Sequence, residues 1–146
     1  MSNLFTYDED PNFNGEKILI IDEDFLLADL IHFHFSKKGY GIDVCKSLDV
    51  THDLDMTEYS MIIIDLNYDF EKSLVLISDV RNDSLTEETP IVICSKMNNN
   101  KAIVAALNAG ADDYITRPFA INELLIRLHK LLGIKLMPDT SASQAS

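Results

Sequence analysis

The chain has 146 residues, of which 47% are hydrophobic, so it is long and apolar enough to fold around a core as one domain. Its 24 acidic residues outnumber 12 basic residues, and the formal net charge of −12 argues against a basic patch that binds nucleic acid or an anionic membrane. No apolar run reaches the length of about 20 residues that a membrane-spanning helix needs. The acidic N-terminal segment is unlike a secretory signal, so we expect a cytoplasmic protein with free thiols at Cys45 and Cys94.

The chain begins with a polar segment that precedes the first predicted strand. Residues 1–16 are acidic, and we predict an extension before the domain. The apolar run Ile18–Ile21 predicts the first strand. A first helix is predicted to begin with Asp24 as its N-cap and to end near Lys38, before Gly39. Its apolar residues have helical spacing: Leu27, Leu30, Ile31 and Phe35.

The middle of the chain predicts two strands and two helices. A short second strand is predicted at Ile42–Cys45, followed by a weak second helix at Ser47–Asp55. The third strand, Ser60–Asp65, contains four apolar residues in a row, as in a strand buried on both faces of a parallel sheet. A third helix is predicted around Ser73–Arg81.

The last part of the chain continues the alternation. Pro90 opens the fourth strand at Ile91, and the fourth helix is predicted at Asn100–Ala109. The buried face of that helix is predicted to carry Ile103, Val104 and Leu107. The fifth strand is predicted at Tyr114–Thr116 and the fifth helix at Ile121–Leu132. Residues 135–146 are rich in small polar residues and predict a linker or a disordered tail after a domain of residues 17–134.

Alternating strands and helices around one apolar core predict a doubly wound α/β domain with a parallel sheet. Right-handed crossovers place helices on both faces of such a sheet. Ligands of open α/β sheets bind at the carboxyl ends of the strands, so the residues that follow the strands are the candidates for function.

Acidic residues follow two of the predicted strands. Asp22 and Glu23 follow the first strand, and Asp65 ends the third. Clustered carboxylates repel one another, and hard oxygen ligands of this kind suit Mg²⁺. Capping of helices and turns is the alternative for the acidic residues after the first strand.

A hydroxyl and a cation follow the next two strands. Ser95 ends the fourth strand, and Arg117 follows the fifth. Near a metal-bound carboxylate they would suit a phosphoryl group on Asp65, because the guanidinium offsets its charge and the hydroxyl donates to an oxygen. Spacing alone does not distinguish a metal site from a phosphate site.

The order of these residues resembles the receiver domain of bacterial two-component response regulators. The shared features are an acidic pair after the first strand, one Asp after the third, a Ser or Thr after the fourth, and a basic residue with Pro-Phe after the fifth. The resemblance covers residues 17–133. It implies a flavodoxin-like (βα)5 three-layer sandwich with a parallel sheet in the order 2-1-3-4-5.

The resemblance also implies roles for single residues. Asp65 would be the phosphoacceptor, and Asp22 and Glu23 would hold Mg²⁺ with Asp65 and the backbone carbonyl of Asn67. Ser95 would contact the phosphoryl group, and the rotamer of Tyr114 would follow its shift. The phosphoryl donor would be a sensor histidine kinase, and the domain would be a signalling module, not an enzyme.

The chain departs from this family at three positions of the implied site. Arg117 stands where Lys is usual, Glu23 where Asp is usual, and Lys96 where a small residue is usual. Arg and Lys are not interchangeable at a tight site because the guanidinium is longer and planar. These departures leave open a phosphorylation-independent pseudo-receiver that serves docking or dimerisation.

The segment from Gly110 to Phe119 resembles the OmpR/PhoB subfamily, whose receivers precede a winged-helix DNA-binding domain. Such receivers switch and dimerise through the face of the fourth helix, fifth strand and fifth helix. Asp113 and Arg127 match one ion pair of that dimer, and Glu123 matches half of another. The resemblance implies a transcriptional output, with DNA bound only through an output domain absent from this chain.

A more remote alternative is a haloacid dehalogenase-like phosphatase. Its opening also combines an apolar run with two acids, as at Asp22 and Asp24. However, Phe25 stands where a hydroxyl residue is usual, and the chain is short.

Overall fold

The computed structural model describes residues 4–65 and 70–134. The strands are β1 (Leu4–Thr6), β2 (Glu16–Ile21), β3 (Tyr40–Cys45), β4 (Tyr59–Ile64), β5 (Ile91–Ser95) and β6 (Asp113–Thr116). The helices are α1 (Phe25–Phe35), α2 (Phe70–Asn82), α3 (Asn100–Ala109) and α4 (Ile121–Leu132). The predicted tail, residues 135–146, lies outside the described residues.

The strands form one sheet in the order β1-β3-β2-β4-β5-β6. The strands from β2 to β6 pair in parallel, and β1 pairs antiparallel with β3. Without β1, this order is the 2-1-3-4-5 order that the resemblance implied, and the predicted parallel α/β architecture is confirmed.

Alternate residues of the central strands enter two separate apolar layers, because successive side chains of a strand point to opposite faces. Ile18 and Ile20 of β2 pack with Phe35 of α1 and Leu124 of α4. Their neighbours on the same strand pack on the other face, with Ile77 of α2 and Ala106 of α3. The sheet is therefore covered on both faces, which leaves its strand ends as the places where polar groups can meet.

The predicted α-helix at Ser47–Asp55 is wrong. Within it, Leu48–Asp53 forms a 3₁₀ helix, and a second one, Met56–Glu58, follows directly after the predicted segment. Ser47 and Asp55 each accept a hydrogen bond from the N–H two residues later, at 3.2 and 3.0 Å. Such side-chain bonds to the local backbone compete with helix extension, and they divide the segment.

The predicted N-terminal extension contributes a strand to the sheet. Tyr7, just after β1, is stacked on His32 of α1 with ring centroids 4.5 Å apart. Phe5 meets Phe25 edge to face at 5.3 Å. A three-residue strand carries too little periodicity to be predicted from sequence, and these contacts with α1 hold it on the sheet edge.

The prediction of the buried face of α3 is wrong at Val104 and Leu107, whereas Ile103 is half-buried. Ala102 and Ala106 are buried, whereas Val104 is 53% exposed and Leu107 is 42% exposed. The small alanine side chains allow the helix backbone to lie close to the sheet, and the larger residues then point outward.

A guanidinium crosslinks the segments that enter β5 and β6. Arg81 of α2 donates to the backbone carbonyls of Gly110 at 2.8 Å and Thr89 at 2.6 Å. It also pairs with the carboxylate of Asp112, which accepts the N–H of Ile91 at 2.8 Å. This bracket fixes the amino ends of both strands.

Candidate functional site

The residues singled out from sequence meet at the carboxyl ends of the parallel strands. Asp22 directly follows β2, Asp65 follows β4, Ser95 ends β5, and Arg117 follows β6. Backbone hydrogen bonds hold these ends together: the N–H of Asp65 donates to Ile21 O at 3.0 Å, and that of Arg117 to Ser95 O at 2.8 Å. The predicted convergence of polar groups on one edge is therefore present.

Arg117 lies between two buried carboxylates. Its Nη2 is 2.6 Å from Asp22 Oδ2, and its Nη1 is 3.8 Å from Asp65 Oδ2. Asp22 is 1% exposed and Asp65 is 7% exposed. Burial acts to lower the pKa of Arg117, but the hydrogen bonds with Asp22 and Cys94 and the charge of Asp22 outweigh burial and raise that pKa. The guanidinium is a permanent cation at this site.

The sequence interpretation missed Cys94 as a neighbour of this cation. Burial raises the pKa of the Cys94 thiol to about 11, while the adjacent guanidinium of Arg117 acts in the opposite direction. Arg117 Nε is buried without a hydrogen-bond acceptor among the described residues, and a thiol is a weak acceptor. A cysteine inside an apolar run gives no sequence signal for this contact.

Ser95 and Tyr114 both contact the segment that follows β5. The fully buried Ser95 accepts a hydrogen bond at Oγ from the N–H of Met97 at 3.1 Å. Tyr114 donates its hydroxyl proton to the carbonyl of Met97. The two predicted switch residues are thus linked through one intermediate residue, which the sequence interpretation did not identify.

The described acids partly match the donor set that Mg²⁺ prefers. Asp22 and Asp65 supply buried carboxylates from neighbouring strand ends, and hard oxygen donors of this kind suit the ion. The side chain of Glu23 is exposed, and Asn67 lies outside the described residues. Within residues 4–65 and 70–134, no three His, Cys, Asp or Glu side chains form a group that could hold a metal. The carboxylates fit the ion, and Arg117 already lies against them.

The residues of the predicted dimer face form ion pairs within the chain. Arg127 Nη1 is 2.8 Å from Asp113 Oδ1, and its Nη2 is 2.9 Å from Glu123 Oε1. These groups belong to β6 and α4, and α3, which contacts β6, exposes Val104 and Leu107. The three predicted dimer residues therefore already have ion-pair partners within one chain.

The chain belongs to the response regulator receiver domain family, whose family model matches residues 18–129. This match spans both covering layers of helices and all of the residues at the candidate site. The recognition made from the order of polar residues is confirmed, and the match does not favour the phosphatase alternative.

Curated relatives and a solved structure agree with this membership. The chain is 32% identical to the transcriptional regulatory protein BasR of Escherichia coli over 80% of its own length and 52% of that protein. It is 31% identical to the transcriptional regulatory protein PmrA of Pectobacterium parmentieri, with the same coverage. A signal receiver domain of two-component signal transduction from Clostridium thermocellum superposes with a TM-score of 0.71 at 25% identity, covering 84% of this chain and 100% of that one.

The chain spans about half the length of these curated regulators. Both are transcriptional regulators by name, in agreement with the resemblance to the OmpR/PhoB subfamily. None of the helices in the described part of the chain is long and apolar enough to cross a membrane.

Proposed function

We propose that the chain is a phosphoacceptor receiver that takes a phosphoryl group on Asp65 from a sensor histidine kinase. The observation that carries this proposal is the position of the Asp65 carboxylate. It lies at the carboxyl end of β4, 7% exposed, with a permanent cation 3.8 Å away and a second carboxylate on the neighbouring strand end. Family membership supports the same reading of the site.

The chemistry follows from the groups around Asp65. A carboxylate oxygen of Asp65 attacks the phosphorus of the donor, a new O–P bond forms, and the bond from phosphorus to the donor's histidine nitrogen breaks. Arg117 offsets the negative charge of the phosphoryl oxygens, and Ser95 supplies a hydroxyl donor. Bound Mg²⁺ would supply further charge compensation, held by Asp22 and Asp65, with Glu23 and the Asn67 carbonyl as the remaining proposed ligands.

The proposed output is a change in the face formed by α3, β6 and α4. Ser95 and Tyr114 meet at Met97, so a shift of the Ser95 hydroxyl toward a phosphoryl group would alter the segment that leads into α3. That face would then form a homodimer through Asp113, Glu123 and Arg127, or contact an output domain. DNA binding would belong to such a domain and not to this chain.

The test is incubation with Mg²⁺ and acetyl phosphate, followed by intact mass measurement and size-exclusion chromatography. The expected result is the mass of one added phosphoryl group in the wild type and none in Asp65→Asn. Asp79→Asn is the matched control, because Asp79 is an exposed carboxylate of α2. Equal labelling of Asp65→Asn and the wild type would overturn the assignment of Asp65.

Failure to label any variant, with an unchanged oligomer, would overturn phosphoryl transfer as the function. Such a result would instead support a pseudo-receiver. A shift to dimer only in the labelled protein would support the proposed switching face.

A further inference from the structure

The shortest ion pair of the site joins Arg117 to a residue other than the proposed phosphoacceptor. Arg117 approaches Asp22 to 2.6 Å but Asp65 only to 3.8 Å. Asp22 is also the residue that the proposed function assigns to the metal. The Arg117 guanidinium and the metal ion are therefore both assigned to the Asp22 carboxylate.

Both oxygens of Asp22 have partners in this arrangement. Oδ1 accepts the N–H of Asp24 at 3.1 Å, and Oδ2 accepts Nη2 of Arg117 at 2.6 Å. The Asp24 partner is fixed, because the side chain of Asp24 caps the start of α1 through the N–H of Leu26 at 3.0 Å. Arg117 is the partner that can be displaced.

The surroundings of Arg117 offer weak resistance to such a displacement. Its Nε is buried without an oxygen or nitrogen acceptor among the described residues, and the side-chain hydrogen bond of Arg117 with Cys94 involves a thiol, which is a weak acceptor. A buried donor without an acceptor is unfavourable, so this position gains little from that nitrogen. The second carboxylate, Asp65, is already within reach when the first pair opens.

We propose that Arg117 is a built-in competitor of the divalent cation, so that metal binding at Asp22 requires the guanidinium to leave that carboxylate. A guanidinium and a divalent cation on one carboxylate oxygen repel each other, and the buried setting weakens the screening of that repulsion. This inference rests on the proposed function for the role of Asp22 as a ligand. It makes the departure from lysine at position 117 a determinant of metal affinity.

The test is isothermal titration of the unphosphorylated protein with MgCl₂, comparing the wild type with Arg117→Lys, Arg117→Met and Lys130→Met. Lysine keeps the charge but loses the planar, two-pronged reach of arginine. The expected result is a Kd for Mg²⁺ about tenfold lower in Arg117→Lys than in the wild type, which corresponds to about 1.4 kcal/mol. Lys130→Met removes an exposed cation of α4 and is expected to keep the wild-type Kd.

Arg117→Met separates displacement from a general charge effect. If only the methionine variant binds Mg²⁺ more tightly and the lysine variant matches the wild type, removal of charge explains the gain and the inference is overturned. A wild-type Kd in both variants, or no binding by any variant, would also overturn it.

A second readout guards against misfolded variants. The thermal midpoint in EDTA is expected to fall in Arg117→Lys, because the Asp22 pair is lost, and the deficit should shrink as Mg²⁺ is added. A deficit that is independent of Mg²⁺ would contradict the inference. Since no phosphoryl donor is present, failure of phosphorylation at Asp65 leaves these measurements interpretable.

Discussion

Arg81 and Arg117 lie at opposite ends of the parallel strands, with side chains 18% and 16% exposed. Arg81 donates mainly to backbone carbonyls and to one carboxylate of its own bracket. Arg117 faces two carboxylates at unequal distances and has a buried nitrogen without an acceptor in the described part of the chain. The two guanidinium groups are thus similarly buried, but the nitrogens of Arg81 have hydrogen-bond acceptors, whereas Nε of Arg117 has none in the described part of the chain.

This difference indicates that the two arginines have different roles: Arg81 stabilises the fold, and Arg117 lies where one cation can replace another. Backbone carbonyls cannot leave a folded strand end, so a guanidinium that saturates them holds structure. Carboxylates can exchange one cation for another, so Arg117 is placed where exchange is possible. The comparison can be tested by changing each end separately.

The largest effect is expected from Arg81→Met. This variant leaves two part-buried carbonyls without the Arg81 donor and Asp112 without its cation, and the free energy of unfolding should fall by about 3 kcal/mol. Urea denaturation measures the loss, and Mg²⁺ should not restore it. Arg127→Met is the matched control, with an expected change of about 0–1 kcal/mol because its ion pairs are exposed. Equal losses in the two variants would remove the structural role assigned to Arg81.

An intermediate effect is expected from Gly110→Ala. Gly110 has a φ of +126°, and a Cβ there would lie 2.4 Å from Cγ of Arg81. The substitution should lower the free energy of unfolding by about 2 kcal/mol or more, since it combines backbone strain with displacement of the bracket.

Gly133→Ala separates these two contributions. Gly133 also has positive φ, +72°, but a Cβ there would meet no described heavy atom within 4 Å. Its expected loss is about 1 kcal/mol, from backbone strain alone. If both glycine variants lost the same stability, contact with Arg81 would contribute nothing.

The smallest effect on stability is expected at the carboxyl ends of the strands, where the alkylation rate of Cys94 can be used to follow changes at Arg117. With a pKa of about 11, the native thiol should alkylate roughly two orders of magnitude more slowly at pH 8 than the unfolded chain, whose thiols have a pKa near 8.5. The raised pKa of Cys94 also makes stability depend on pH. The neutral thiol contributes its full share to the free energy of unfolding below about pH 8.5, and that share is lost as pH rises toward 11.

Arg117→Lys should increase the alkylation rate of Cys94, since the shorter lysine side chain leaves space beside the thiol. Cys45, whose pKa burial and the charge of Asp43 raise to about 12, is the internal control and should keep its rate. Iodoacetamide labelling with peptide mass analysis measures both thiols. A Cys94 rate that is unchanged while Cys45 accelerates would argue against a local opening at Arg117.

Much of the fold was accessible from sequence, for physical reasons that particular elements illustrate. The run Met61–Ile64 is buried on both faces of the sheet, and a continuous apolar run of this kind predicts a strand with that burial. The predicted bounds of α3 and α4 match the structure, because each helix ends at a glycine with positive φ. The face of α3 was misread, since hydropathy cannot show that small alanines permit a closer approach than Val104 and Leu107.

The candidate site was predictable in composition but not in pairing. Parallel strands bring Asp22, Asp65, Ser95 and Arg117 to one edge of the sheet. The positions of these residues after apolar runs predict this convergence. Which carboxylate Arg117 prefers depends on side-chain length and on the space beside Cys94. Neither quantity is present in the spacing of residues along a chain.

The short strand β1 has a consequence for how this domain is prepared in the laboratory. A fragment that starts at residue 18, where the family match begins, would lack β1 and expose the backbone edge of β3. Uncovered strand edges are templates for pairing between molecules. Such a fragment would also uncover Phe25, which Phe5 contacts at 5.3 Å. Expression fragments that include the residues from Leu4 onward should therefore resist self-association better than those cut at the family boundary.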